Sequence, residues 1–204
     1  MNNQKPDIFK ANTCPPCPSS ASGWQKLIYW LGIGLGSGRT KKAPGTWGTL
    51  GGLVVALPMF CLGFWGFLAV TVIGCLIGGY ICGTTSRLMN VHDDPHIVWD
   101  EWVGMWIALL PTAFVLSSLF TTDEDGQNAG LVFLVLDGEL GLVALSMMLI
   151  LPFLLFRFFD IIKPFPISWA DKKVSGGFGI MLDDILAGIM AAIVIVVITA
   201  VVFA

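Results

Sequence analysis

Asp100 and Glu101 stand side by side at the entrance of an apolar run that continues to Phe120, inside V-H-D-D-P-H-I-V-W-D-E-W-V-G-M-W at Val91–Trp106. A charged residue at the centre of a bilayer-spanning helix costs about 2.5–3.5 kcal/mol on insertion scales, so acids there pair with something, line a wet cavity or bind an ion. Two more acidic positions sit at comparable places. Asp160 closes one long apolar run, and Asp183-Asp184 open the last one. Acids brought together from neighbouring helices repel one another unless cations lie among them. Clusters offering only oxygen suit hard divalent ions. Mg²⁺ is the first candidate, because it takes one or two carboxylates and completes its shell with water and substrate phosphate. The competing reading of each pair is a solvated helix end.

Phosphate-binding equipment recurs near these acids. Arg39, Lys41 and Lys42 lie in the glycine-rich segment Gly32–Gly48, whose backbone amides could approach an anion closely; no Gly-Lys-Ser/Thr ends it, so it is not a Walker loop. Gly176, Gly177 and Gly179 lead into the last helix, whose N-terminus favours anions. Arg157, Asp160 and Lys163 recur every third residue, which places them on one helix face, and Pro164 ends that helix. Other chemistries are excluded. Cys82 and Arg87 are separated by four residues, one short of the cysteine-phosphatase loop, and no motif of the histidine lipid phosphatases is present. Asp125-Gly126-Gln127-Asn128-Ala129 opens like a CDP-alcohol phosphotransferase signature, but Gly130 stands where the arginine belongs. His92 and His96 flank Pro95 in a loop and are expected to face solvent. Cys14-Pro-Pro-Cys17 lacks a second ligand pair nearby and is read as inert.

The elements that must position these groups are membrane helices. Of 204 residues, 55% are hydrophobic and 12% charged, about half the charged share of a soluble domain, and the mean hydropathy is +0.81. A net charge of -3 argues against a nucleic-acid partner. Residues 1–22 read as a disordered cytoplasmic tail without the apolar core of a cleavable signal, and 23–204 as one membrane-embedded domain. Trp24–Leu35 fits an interfacial helix. Thr49–Cys82 makes two short spans broken near Gly63, or a hairpin that enters and leaves by one face. Further spans follow to Phe120, with a kink at Pro111, then over 140–159 and 180–204. In this topology Lys5, Lys10, Lys26, Arg39, Lys41, Lys42, Arg87, Arg157, Lys163, Lys172 and Lys173 share one side, while Asp123, Glu124, Asp125, Asp137 and Glu139 lie on the other. The positive-inside rule then puts the N-terminus and the acid pairs at the cytoplasmic face. The expected fold is an all-α integral membrane protein, a compact helical bundle of about five spans with a cytoplasmic-face active site. A rival reading is an ion or proton transporter using membrane-embedded carboxylates, but such a protein would spread its charges through the membrane depth.

Three ordered blocks carry a family resemblance: G-S-G-R-T-K-K-A-P-G-T-W-G-T at Gly36–Thr49, the Val91–Trp106 stretch, and R-F-F-D-I-I-K-P-F-P-I-S-W-A-D-K-K-V-S-G-G-F-G-I-M-L-D-D-I-L-A-G at Arg157–Gly188. In these the chain resembles the phosphatidylglycerophosphatase A family. The resemblance implies an Mg²⁺-dependent lipid phosphatase of the bacterial inner membrane that converts phosphatidylglycerophosphate to phosphatidylglycerol. The matching positions include Pro44, Gly45, Thr46, Asp93, Asp100, Glu101, Asp160, Lys163, Asp171, Gly176, Gly177, Gly179, Asp183 and Asp184. On this reading Asp100, Glu101, Asp183 and Asp184 hold the metal, and Asp160 assists or acts as base. Arg39, Thr46, Asp93, Lys163, Gly176 and Gly177 bind the lipid phosphomonoester. Direct attack by water and an aspartyl-phosphate route both remain open at this stage. The chain departs from the family in its Cys/Pro tail, in Lys41-Lys42 and in a longer acidic loop around Asp123–Glu139.

Overall fold

The computed structural model describes residues 13–91, 94–119, 139–174 and 176–202, and every regular element among them is helical. Asp93, His92, the first part of the expected tail and the acidic loop at 120–138 lie outside the described residues, as does the side chain of Asp171. The helices are α1 (Gly23–Gly32), α2 (Pro44–Met59), α3 (Gly63–Met89), α4 (Trp99–Ala108), α5 (Leu110–Leu119), α6 (Glu139–Ile162), α7 (Ile167–Lys173) and α8 (Gly177–Val202).

The bundle is built around α4. All ten of its residues are buried, as expected of a helix that is apolar nearly all round and sits inside a larger body. Two faces do different work. Trp99, Trp102 and Trp106, at i, i+3 and i+7, form one stripe with ring centroids 5.8–6.1 Å apart. A buried indole N–H usually finds an acceptor: Trp99 donates to the Gly74 carbonyl of α3 (3.3 Å) and Trp106 to the Gly52 carbonyl of α2 (2.9 Å), while Trp102 Nε1 has no partner among the described residues. The opposite face carries Gly104, where an added Cβ would fall 2.5 Å from the Phe156 ring of α6 and 2.8 Å from the Asp184 carbonyl of α8. Gly188 of α8 meets the Gly104 carbonyl in the same crossing. Small residues let these backbones approach closely.

The break expected near Gly63 is present. A short 3₁₀ turn over Phe60–Leu62 ends on Gly63 at φ 66°, a region that favours glycine, and α3 returns beside α2. Their far ends meet where Phe60 stacks on Phe67 (5.0 Å), and their near ends flank the start of α4, with Gly48 against Val98 and Gly78 against Trp99. The kink expected at Pro111 falls two residues earlier, at Leu109. Proline's ring excludes the carbonyl of residue i−4, here Ile107, so α4 closes and α5 restarts with Pro111 in its first turn. At the far end Phe114 packs on Phe64 (5.4 Å) and Thr112 donates to the Met148 carbonyl (2.9 Å), so α6 travels back toward the start of α4. Finally α8 begins against Gly79 and Gly83 of α3 and runs to the far end. By length and apolarity, two stretches among the described residues suit a membrane crossing: Pro44–Met89 and Gly177–Val201.

Residues 13–22, part of the expected tail, lie against α1. The Tyr29 hydroxyl donates to the Pro15 carbonyl (2.7 Å), and Cys14 and Cys17 are half-buried beside the core. Ser22 then caps α1 in a reciprocal box with Gln25. His96, expected in solvent, is buried (2% exposed). The cause is Asp94, whose carboxylate oxygen accepts from both the His96 backbone amide (3.0 Å) and ring Nδ1 (2.6 Å), folding the loop over the ring.

Candidate active site

The start of α4, the first turn of α2, the end of α6 and the second turn of α8 meet at one end of the bundle. Asp100 and Glu101 occupy the first turn of α4, where the helix dipole favours anions, and the Asp100 carboxylate accepts from the Glu101 amide (3.1 Å). Asp184 comes from α8, pulled in by the Gly104–Gly188 crossing one turn away. One oxygen from each of Asp100, Glu101 and Asp184 lies within 4.8 Å of the others. All three side chains are nearly or fully buried, and Glu101 Oε2 and Asp184 Oδ1 have no hydrogen-bond partner. Buried charges without partners are costly. A divalent cation would supply what these oxygens lack, and an all-carboxylate donor set suits a hard ion.

Asp160 stands beside this trio, within electrostatic reach of Glu101 and Asp184. Its Oδ2 is held by Arg157 Nη1 (2.5 Å), one turn earlier on α6, and the same nitrogen donates to Thr49 Oγ1 of α2 (3.3 Å). Thr49 is itself buried, and its hydroxyl donates to the Gly45 carbonyl (2.8 Å). Asp183 takes a different direction and pairs with Lys163 at 2.6 Å. Lys163 has left the Arg157–Asp160 face because the chain turns at φ 47° there, just before Pro164. Arg39 is exposed, with its guanidinium over the Trp30 ring (5.7 Å). Thr46 is exposed in the first turn of α2. Gly176 is exposed, whereas Gly177 is pressed against the Gly79 carbonyl and Gly83 of α3, so a side chain there would part the two helices.

Two contributors do more in the fold than their sequence reading gave them. Arg157 stands in sequence on one helix face with Asp160 among the phosphate-binding groups, and only the fold brings it to α2. Gly45 matters for what it lacks: a Cβ would lie 2.6 Å from Glu101 Oε1 and 3.3 Å from both Arg157 Nη atoms. The signal available in sequence was its place after Pro44 at a helix start. Two apolar clefts of about 410 and 500 Å³ lie toward the far end of the bundle, and among the described residues no carboxylate lines them.

A family model described as Phosphatidylglycerophosphatase A matches residues 30–199. The Phosphatidylglycerophosphatase A of Haemophilus influenzae is 41% identical over 170 residues, covering 82% of this chain and 86% of that protein. The protein of the same name from Escherichia coli is 37% identical over 164 residues, covering 80% and 78%. A Bacteroides thetaiotaomicron protein named only provisionally as a phosphatidylinositol-3-phosphatase is 30% identical over 176 residues, covering 84% and 92%. No solved structure matches.

Proposed function

The chain belongs to the phosphatidylglycerophosphatase A family, and from that premise we propose that Asp100, Glu101 and Asp184 form the Mg²⁺ centre at which it dephosphorylates phosphatidylglycerophosphate to phosphatidylglycerol. The observation that carries the metal centre is three buried carboxylates within 4.8 Å, two of them with unpartnered oxygens. Bound there, the ion would polarise the phosphoryl oxygens and favour attack by water. The remaining work falls to the chain. Asp160, oriented by Arg157, accepts the proton of the attacking water. Lys163 acts through Asp183, holding the end of α6 against α8 beside the acids.

The same reading places the bundle in the cytoplasmic membrane as five spans: α2, α3, α4 with α5, α6 and α8. At 1.5 Å per residue α3, α6 and α8 exceed the ~30 Å hydrocarbon core, while the 16-residue α2 falls short of it. Outward faces support this placement: Trp65, Ile73 and Leu76 of α3 and Ile193, Val196 and Val201 of α8 are all more than half exposed, and contiguous exposed apolar faces mark protein or membrane contacts. A lipid phosphomonoester presents its phosphate at the headgroup plane. Acids gathered at one end of the bundle, rather than through its depth, suit that substrate and not a transport path.

The test is phosphate release from phosphatidylglycerophosphate by the purified protein in detergent, with Mg²⁺ or EDTA, beside Asp100→Asn and Asp184→Asn. We expect metal-dependent release that falls by at least about 10²-fold in both variants. Equal activity with EDTA, or full activity in both variants, would sink the metal centre.

A further inference from the structure

Among the described cations, Arg157 is the one that the fold carries to the acid cluster from a helix that supplies no metal-centre carboxylate, and its hydrogen bonding is lopsided. Nη1 makes both hydrogen bonds of the guanidinium among the described residues, to Asp160 Oδ2 and Thr49 Oγ1. Nε is buried and has no partner. A guanidinium placed only to neutralise the carboxylates would turn its two-nitrogen edge to one of them, since Arg–carboxylate pairs favour that bidentate fork. No salt bridge of Arg157 to Glu101 or Asp184 exists among the described residues, although Glu101 Oε1 and both Nη atoms border the space that the missing side chain of Gly45 leaves.

The gap has a second wall suited to anions. The α2 helix runs 16 residues from Pro44. The amides of Gly45 and Thr46 precede the first intrahelical bond, which the Trp47 amide makes to Ala43 (3.2 Å). They are therefore the unfilled donors of a helix start. Thr49, one turn on, is the residue that anchors the guanidinium to this helix.

We propose that Arg157 binds the terminal phosphate of the lipid, its Nε–Nη2 edge receiving two non-bridging oxygens, with Thr49 and Asp160 holding Nη1 and the Gly45 and Thr46 amides completing the anion pocket. The proposal rests on the phosphatase reading for the identity of its ligand, but not for the presence of an oxyanion pocket. It assigns the phosphate contact to a residue other than Arg39 and Lys163, which are engaged by Trp30 and Asp183. Arginine is the residue for planar two-point recognition of phosphate; lysine offers only a point charge.

The experiment uses the full chain in detergent with inorganic phosphate as probe. It reads thermal stabilisation by phosphate, the inhibition constant of phosphate, the KM for lipid and the apparent Mg²⁺ affinity. In Arg157→Ala, phosphate stabilisation should vanish and the inhibition constant rise at least tenfold, with Mg²⁺ affinity unchanged or tighter once a neighbouring cation is gone. Arg157→Lys should recover only a minor part of phosphate binding, and added methylguanidinium should restore the alanine variant. Should Arg157→Ala fail to fold, Thr49→Val leaves the guanidinium in place with one anchor fewer, and KM should rise several-fold. Unchanged phosphate inhibition in folded Arg157→Ala or in Thr49→Val, or wild-type behaviour of Arg157→Lys, overturns the assignment. Phosphate binding that depends on Arg157 in a protein releasing no phosphate from the lipid would instead separate this pocket from the phosphatase reading and overturn that reading alone.

Discussion

Gly45→Ala is the sharpest small perturbation of this site. The new methyl would sit 2.6 Å from Glu101 Oε1, whereas ordinary contact begins at 3.4 Å, so about 0.8 Å must be found by movement. Glu101 cannot yield freely, because α4 is buried along its whole length. Retreat toward Arg157 is blocked as well, since both Nη atoms lie at 3.3 Å. The carboxylate must rotate away, or α2 and α4 must part. A misplacement of about 1 Å at a reacting centre costs about 10²-fold in rate, so kcat/KM should fall about 10–100-fold, equivalent to about 1.4–2.7 kcal/mol of transition-state stabilisation. Stability should move little, because alanine is favoured over glycine in helices by up to about 1 kcal/mol, which offsets part of the strain. The assay is phosphate release in mixed micelles over a Mg²⁺ titration, with the thermal midpoint measured on the same preparation. Gly23→Ala is the control, since nothing lies within 4 Å of its Cβ. Wild-type kcat/KM in a folded Gly45→Ala protein would refute the placement of Glu101 in the reacting centre.

Two further outcomes follow from packing and burial. Gly188→Ala puts a methyl against the Gly104 carbonyl and 3.0 Å from Ile107 Cβ, and should cost about 1–3 kcal/mol by overpacking, read as a lower midpoint in denaturant titration; an unchanged midpoint contradicts the close α4–α8 crossing. Burial pushes the Cys14 thiol up, with the Tyr29 hydroxyl only partly opposing it, so less of it is thiolate at neutral pH than in an ordinary cysteine. Iodoacetamide should modify Cys14 more slowly at pH 7 in the folded protein than in the denatured chain, with the rate climbing as pH rises; equal rates at pH 7 would show that residues 13–22 do not rest on α1.

What could be read from sequence was whatever depends on local pattern. The helical class follows from long apolar runs, and the Gly63 break from a turn residue between two of them. Asp100, Glu101 and Asp184 are visible because a carboxylate beside an apolar run is anomalous wherever it lands. What depends on the approach of distant segments was not visible. His96 looked solvent-facing beside Pro95, yet Asp94 two residues away gives its ring and amide a shared acceptor, and that bonding buries it. Gly45 has no side chain to announce a role, and its importance appears only when Glu101 arrives from 56 positions later. Lys163 was expected on one face with Arg157, an inference valid only while the helix continues. The backbone turns at Lys163 itself, and the side chain goes to α8 instead.

The neighbours Asp183 and Asp184 show why adjacency in sequence is a poor guide to shared duty. Successive helical residues point about 100° apart, so two adjacent acids need not share a partner: Asp100 and Glu101 both reach Asp184 of α8, whereas Asp183 and Asp184 diverge. Gly188, one turn beyond Asp184, decides which of the latter two faces α4: its contact with the Gly104 carbonyl pulls α8 onto α4 along the line that carries Asp184, not Asp183. Asp184 is consequently buried with an unpartnered oxygen beside Asp100 and Glu101, and Asp183 is left at the rim for Lys163. An ion between α4 and α8 would then tie together two helices that glycine has already brought close. Removing Asp184 should therefore weaken metal binding and this crossing together, whereas removing Asp183 should loosen the end of α6 and spare the ion.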